Sequence, residues 1–112
     1  MISTEVSGED TCFLVRRTGT AAQVRISGTL RATDAPALRR WFGRMIDDGV
    51  DFLDVDLAGV HEIDRAGLAT LLIVSRRLRL RGGLHFRALS DECRGALQQA
   101  HLFTVELDDR RW

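Results

Sequence analysis

Three histidines, two cysteines and two aspartates spaced two apart are the residues of this chain best equipped for chemistry. Asp54 and Asp56 sit on a stretch of alternating character, so in a strand their carboxylates project from one face. Paired carboxylates can share acid–base work. On a face that also carries Arg25, the pattern suits ion pairs across neighbouring strands better. His61, His85 and His101 fall in separate elements with no carboxylate, cysteine or second histidine at ligand spacing, so they read as neither metal ligands nor general bases. Cys12 and Cys93 are far apart, form no CxxC, and read as reduced, packed thiols. The chain has no GxSxG nucleophile elbow, no phosphate-binding GxxxxGK[ST], no HExxH and no GxGxxG after a strand. The expectation is a protein that is not an enzyme and that uses no cofactor and no metal.

Composition narrows the partners. The 112 residues suffice for one modest core. Sixteen basic residues, all arginine, balance sixteen acidic ones, so the chain lacks the electropositive footprint of a nucleic-acid binder. It has no tyrosine, and with aromatics at 6% it offers no stacking platform for single strands. The opening MISTEVSGED is polar and acidic, unlike a secretory leader. The longest apolar run, 68–74, is broken by Thr70 and is far too short to span a bilayer. A cytoplasmic protein without direct membrane insertion is expected.

The elements that must position any site follow from periodicity. Residues 1–11 read as a polar lead-in and 12–112 as a single domain. Period-two alternation marks strands around Phe13 and Val15, Val24 and Ile26, Leu53 to Leu57, Leu84 and Phe86, and Phe103 to Leu107, the first two joined as a hairpin near Gly19. Helical spacing links Leu38, Trp41, Phe42, Met45 and Ile46, with Thr33 as N-cap, Pro36 in the first turn and Gly49 as the stop. A second helix starts at Asp64 with Ile63 and Leu68 as a hydrophobic staple, carries Leu68, Leu71, Leu72, Ser75 and Leu78 inward, and ends at Gly82-Gly83. Its late arginines, Arg76, Arg77, Arg79 and Arg81, suit a helix C-terminus and read as a solvated face. A third opens at Ser90. The predicted fold is α/β in two layers, order β-β-α-β-α-β-α-β, a mixed sheet with the helices mainly on one face. The open face would carry Arg25, Asp54, Asp56, His85, Arg87 and Glu106. Leu38, Phe42, Leu57, Leu68, Leu71, Leu72 and Phe86 should be deeply buried.

Residues 54–83 carry the most specific pattern. Asp56-Leu57-Ala58-Gly59-Val60 leads into Ile63-Asp64-Arg65-Ala66-Gly67-Leu68, followed by Arg81-Gly82-Gly83 and Leu89-Ser90, with Gly28-Thr29-Leu30-Arg31 upstream. From about Phe13 to Leu107, this order resembles the STAS family of anti-sigma factor antagonists and related bacterial regulators, and agrees with the element order above. The resemblance implies a protein that docks a partner through two loops, an anti-sigma factor of the histidine-kinase-like type, and that is switched by phosphorylation of a serine at the second helix start. Here that position is Ala66, its neighbour is Arg65, and the usual upstream aspartate is Arg31. The implied docking residues are Thr29, Arg31, Thr33, Asp34, Ile63, Asp64, Arg65, Ala66 and Gly67, with Ala66 unable to accept a phosphoryl group. Arg31 and Arg65 should be exposed and free of strong internal pairs. Two other roles fit the resemblance: an accessory subunit of an ABC-type lipid transporter, and a small-molecule-binding STAS module. Homodimerisation is left open.

Overall fold

The computed structural model describes residues 2–7 and 11–99. Five strands form one sheet in the order β1 (Ile2–Ser7), β2 (Thr11–Thr18), β3 (Ala21–Leu30), β4 (Phe52–Ile63) and β5 (Gly83–Leu89). The first three are antiparallel neighbours, and β3, β4 and β5 are parallel. Helices α1 (Ala35–Asp47), α2 (Arg65–Arg77) and α3 (Asp91–Gln99) follow β3, β4 and β5. The β2–β3 hairpin closes through Gly19-Thr20, with Gly19 at φ +62°, where a side chain would be strained. The expected strand over Phe103–Leu107, with Glu106 and His101, lies outside the described residues.

Part of the segment read as a polar lead-in is a strand. β1 pairs with β2 from Ile2↔Arg16 to Ser7↔Thr11. Its sequence, ISTEVS, alternates β-branched with polar residues, which an edge strand tolerates without a strongly apolar face.

The two-layer arrangement follows from the alternation. Phe13, Val15, Val24, Ile26, Leu53, Val55, Leu57, Leu84 and Phe86 all join a single core with the apolar stripes of α1 and α2 and with Cys93 and Leu97 of α3. Phe13 of β2 stacks on Trp41 of α1, ring centroids 4.8 Å apart. The residues between them point away from the helices. There Arg25 pairs with Asp56 at 3.6 Å and Arg87 with Asp54 at 2.6 Å, so these carboxylates are shielded by arginine side chains rather than by helices. A parallel sheet normally needs both faces covered. Here cross-strand ion pairs let the second face meet water.

Six of the seven expected core positions are buried: Leu38, Phe42, Leu57, Leu68, Leu71 and Phe86. Leu72 is only half-buried, because α2 turns its Leu68–Leu71–Val74–Ser75–Leu78 stripe inward and leaves Leu72 on the flank facing α3. The end of α2 also differs from expectation. The helix stops at Arg77, and Leu78 through Gly82 form a separate turn before β5.

Candidate functional site

The docking edge implied by the resemblance is built where β3 and β4 end side by side. Both strands run further than the sequence suggested. Pairing continues through Thr29↔Glu62 and Leu30↔Ile63, across register shifts at Arg25/Ser27 and Gly28/Thr29. Thr29 and Leu30 of the first expected loop and His61 to Ile63 of the second are therefore strand, and each strand turns sharply into its helix. Gly59 permits this pairing, since a Cβ there would stand 2.9 Å from the Ser27 Cβ.

Two aspartates fix the two turns. Asp64 is the N-cap of α2, as the sequence predicted, and its Oδ1 accepts from Gly67 N–H at 3.0 Å. Its Oδ2 accepts from Ala32 N–H at 2.8 Å, which ties the β3–α1 turn to the start of α2. Partial desolvation pushes the carboxyl pKa up. The Gly67, Ala32 and Ala66 N–H groups and the Arg31 charge outweigh that and hold it below its ordinary 3.8. A depressed folded pKa stabilises above the unfolded value and loses that stabilisation as pH falls through the folded one. Acid titration of stability should thus show a decline below about pH 3.8 that is shallower in Asp64→Asn, which keeps a capping oxygen but does not titrate. Identical profiles followed by circular dichroism would exclude a role for this charge.

Asp34, rather than the expected Thr33, is the N-cap of α1, yet it makes no side-chain cap bond to its own helix. Its carboxylate points back into the fold at 3% exposure. Oδ2 accepts from Arg31 N–H at 2.9 Å and from the Thr29 hydroxyl at 3.3 Å, and Oδ1 lies 3.0 Å from the Thr11 hydroxyl. Thr11 Oγ1 also lies 2.7 Å from the Thr29 carbonyl oxygen, so its single proton serves one of the two acceptors at a time. A short polar residue that can bond several backbone and hydroxyl donors is drawn to such a turn rather than to plain capping.

Burial divides the implied docking set. Thr29 and Asp34 are buried, and Gly67 is buried against the Leu30 carbonyl, so none of the three presents a side chain to a partner. Arg31, Thr33, Asp64 and Arg65 are exposed, with Ile63 and Ala66 partly so. Arg31 makes one ion pair, with Glu62 at 3.3 Å, both side chains about half exposed; such a pair is worth little. Arg65 forms no ion pair among the described residues. Thr11 is the member of this hydrogen-bond network that sequence reasoning missed. Its only signal was a hydroxyl just before an apolar alternation.

Beside this edge, α2 and α3 border a groove of about 630 Å³. Ile63, Leu68, Leu72 and Ala96 contribute its apolar wall, and Asp64 and Arg65 also line it.

The other candidates are dispersed. His61 is exposed near the end of β4, while His85 lies on the outer sheet face with its ring 5.1 Å from that of Phe52. No group of three His, Cys, Asp or Glu converges among the described residues. Both cysteines are free; Cys12 is on the outer face of β2 and Cys93 beneath α3, on opposite sides of the sheet. Burial raises the Cys93 thiol pKa, which keeps it protonated and unreactive. No described helix is long and apolar enough to cross a membrane.

A mixed sheet backed by three helices on one face, with two strand–helix turns tied together at one end, defines an open α/β domain. The chain belongs to the STAS family: the family model described as "Mlab, STAS domain" matches residues 13–102. Its fold is similar to an anti-sigma factor antagonist from Mycobacterium paratuberculosis, TM-score 0.77 at 23% identity over 96% of this chain and 86% of that one. It is also similar to the anti-sigma factor antagonist SpoIIAA in its unphosphorylated form, TM-score 0.71 at 17% identity over 88% and 90%. The Bacillus SpoIIAA in its phosphorylated form matches at TM-score 0.64 and 16% identity over 88% and 94%. Comparison with the curated proteins gives no significant match.

Proposed function

We infer that this STAS domain is an anti-sigma factor antagonist that binds a histidine-kinase-like anti-sigma factor through the edge formed by Arg31–Thr33 and Ile63–Ala66, and that binding is not switched at the second helix start. The observation that carries this reading is the hydrogen bond from Ala32 N–H to Asp64, which makes one continuous surface of two chain-distant turns and leaves Arg31 and Arg65 projecting from it. Ala66 stands where the resemblance places the phosphoacceptor and has no hydroxyl. Thr29 and Thr70 offer no accessible substitute, each being 2% exposed, and Thr70 is bonded to the Ala66 carbonyl. Thr33 is the exposed hydroxyl of this edge. Two exposed arginines favour an acidic patch on the partner.

Reversing both charges, Arg31→Glu with Arg65→Glu, should weaken capture of the anti-sigma factor by on the order of tenfold to a hundredfold, mostly through slower association. The melting temperature should barely move, since neither side chain is buried. Unchanged affinity would move the docking surface elsewhere. With the cognate kinase and ATP, the intact mass of the wild type should not change, and Ala66→Ser should gain a phosphate and release the partner. A stoichiometric phosphate on the wild type coupled to release would overturn the unswitched reading.

A further inference from the structure

At the far end of α2 the chain does something that neither capping nor core packing explains. Leu78 is fully buried, and four residues later Gly82 and Gly83 are pinned against the start of β4. Gly83 N–H donates to the Asp51 carbonyl at 3.1 Å, and a Cβ on Gly82 would come within 2.7 Å of the Phe52 Cβ and 2.8 Å of Asp51 O. The turn between these two fixed points is closed by Arg81 N–H donating to Leu78 O at 2.9 Å. It holds Leu80 out at 96% exposure, the most exposed large apolar side chain among the described residues. Ile73, 44% exposed, and Arg76 lie on the side of α2 that leads to this tip.

Charge follows the same pattern. Arg77 is taken up by Asp47 of α1 at 3.6 Å. Arg76, Arg79 and Arg81 are exposed and make no ion pair among the described residues. The helix C-terminus carries only about half a negative charge, so one or two cations would satisfy it. Arg79 and Arg81 lie beyond the helix and exceed that need.

We propose that this tip, Arg76, Arg79, Leu80 and Arg81, is a docking point for an anionic lipid surface, with Leu80 dipping to the level of the headgroups and the three arginines meeting lipid phosphates. A convex turn carrying a single apolar side chain is poorly suited to a protein partner, because a stable protein interface takes roughly 800 Å² from each side and a pocket for its anchors. A bilayer interface accepts a small protruding tip, and diffuse negative charge needs no shaped counterpart. The tip is separated from the Arg31–Arg65 edge by the length of α2, 13 residues or roughly 20 Å, so a membrane-docked molecule keeps its partner edge free.

The test is co-sedimentation of the full chain with phosphatidylcholine vesicles, with and without phosphatidylserine. At low salt the partition coefficient should be on the order of 100-fold higher for the anionic vesicles, since each of three arginines near the surface contributes about fivefold. Raising ionic strength should erase most of it. The Arg76→Gln, Arg79→Gln, Arg81→Gln variant should lose the charge preference, and Leu80→Ser should weaken binding while keeping it. Both should melt as the wild type does, because all four positions are exposed. Equal partition into both vesicle types, or anionic binding that survives the triple substitution, overturns the proposal. Capture of an acidic protein by the same tip without vesicle binding would overturn it too, assigning the surface to a protein.

Discussion

Replacing Gly67 with alanine should destabilise the fold by on the order of 2–3 kcal/mol, although helix propensity alone argues the opposite. In a helix interior alanine is favoured over glycine by about 0.8–1.0 kcal/mol. Against that, a Cβ at Gly67 would stand 2.3 Å from the Leu30 carbonyl oxygen, 2.9 Å from its carbon and 3.0 Å from its Cβ. Two of those neighbours are backbone within β3, so no side chain can swing aside and the first turn of α2 has to lift. Lifting it disturbs Leu68 and Leu71 in the core and lengthens the Asp64–Ala32 bond that joins the two strand–helix turns. Overpacking of this kind costs about 1–3 kcal/mol, and a clash with backbone belongs at the upper end or beyond. Urea denaturation gives the difference directly. A more stable Gly67→Ala protein would mean that α2 does not pack as closely on β3 as described.

The second large effect is expected at Asp34, where two substitutions separate charge from geometry. Asp34→Ala removes the acceptor of the Arg31 N–H, and the cost should be about 1–3 kcal/mol, the range for one unsatisfied donor, because the Thr29 proton can turn to Thr11 Oγ1 3.0 Å away. Thr11 escapes, because its proton can turn to the Thr29 carbonyl 2.7 Å away. That freedom lets asparagine fit. With its carbonyl oxygen in the Oδ2 position it still accepts from Arg31 and Thr29, and with its amide in the Oδ1 position it donates to Thr11 Oγ1. Asp34→Asn should therefore recover most of the loss in denaturant titrations. If asparagine proves as damaging as alanine, the negative charge itself holds the turn, and the network described here is secondary.

Asp64 and Asp34 show how legible the candidate site was. Asp64 could be placed as the cap of α2 from sequence, because a capping residue after an apolar position and before a helical stripe is a local pattern. Its second bond, to Ala32, joins residues 32 apart in the chain, and no local pattern encodes that. Asp34 was placed at the right turn and given the wrong part. Thr33 and Asp34 are adjacent residues that both cap well, and the choice fell to Asp34 because the inward-facing Thr11 and Thr29 hydroxyls and Arg31 N–H needed an acceptor. Thr29 was implied as a docking residue from its place in a motif, and burial beside Thr11 removed it from the surface.

The sequence by itself determined the layers. Strict alternation in β2, β3, β4 and β5 assigns one face of each strand to a core, and helical spacing in α1 and α2 assigns the faces that cover it, because side-chain direction in both elements is fixed by backbone geometry. The absence of familiar catalytic motifs could also be read from the chain. Only the tertiary structure decided where the strands stop, since β3 and β4 support each other past the point where their own patterns fade, across two register shifts. It also decided that Ile2–Ser7 adds an edge strand, that Leu72 faces a groove instead of the core, and that Leu80 is held in water. Each of these depends on the distance and orientation of a neighbour remote in sequence, and periodicity carries no such information.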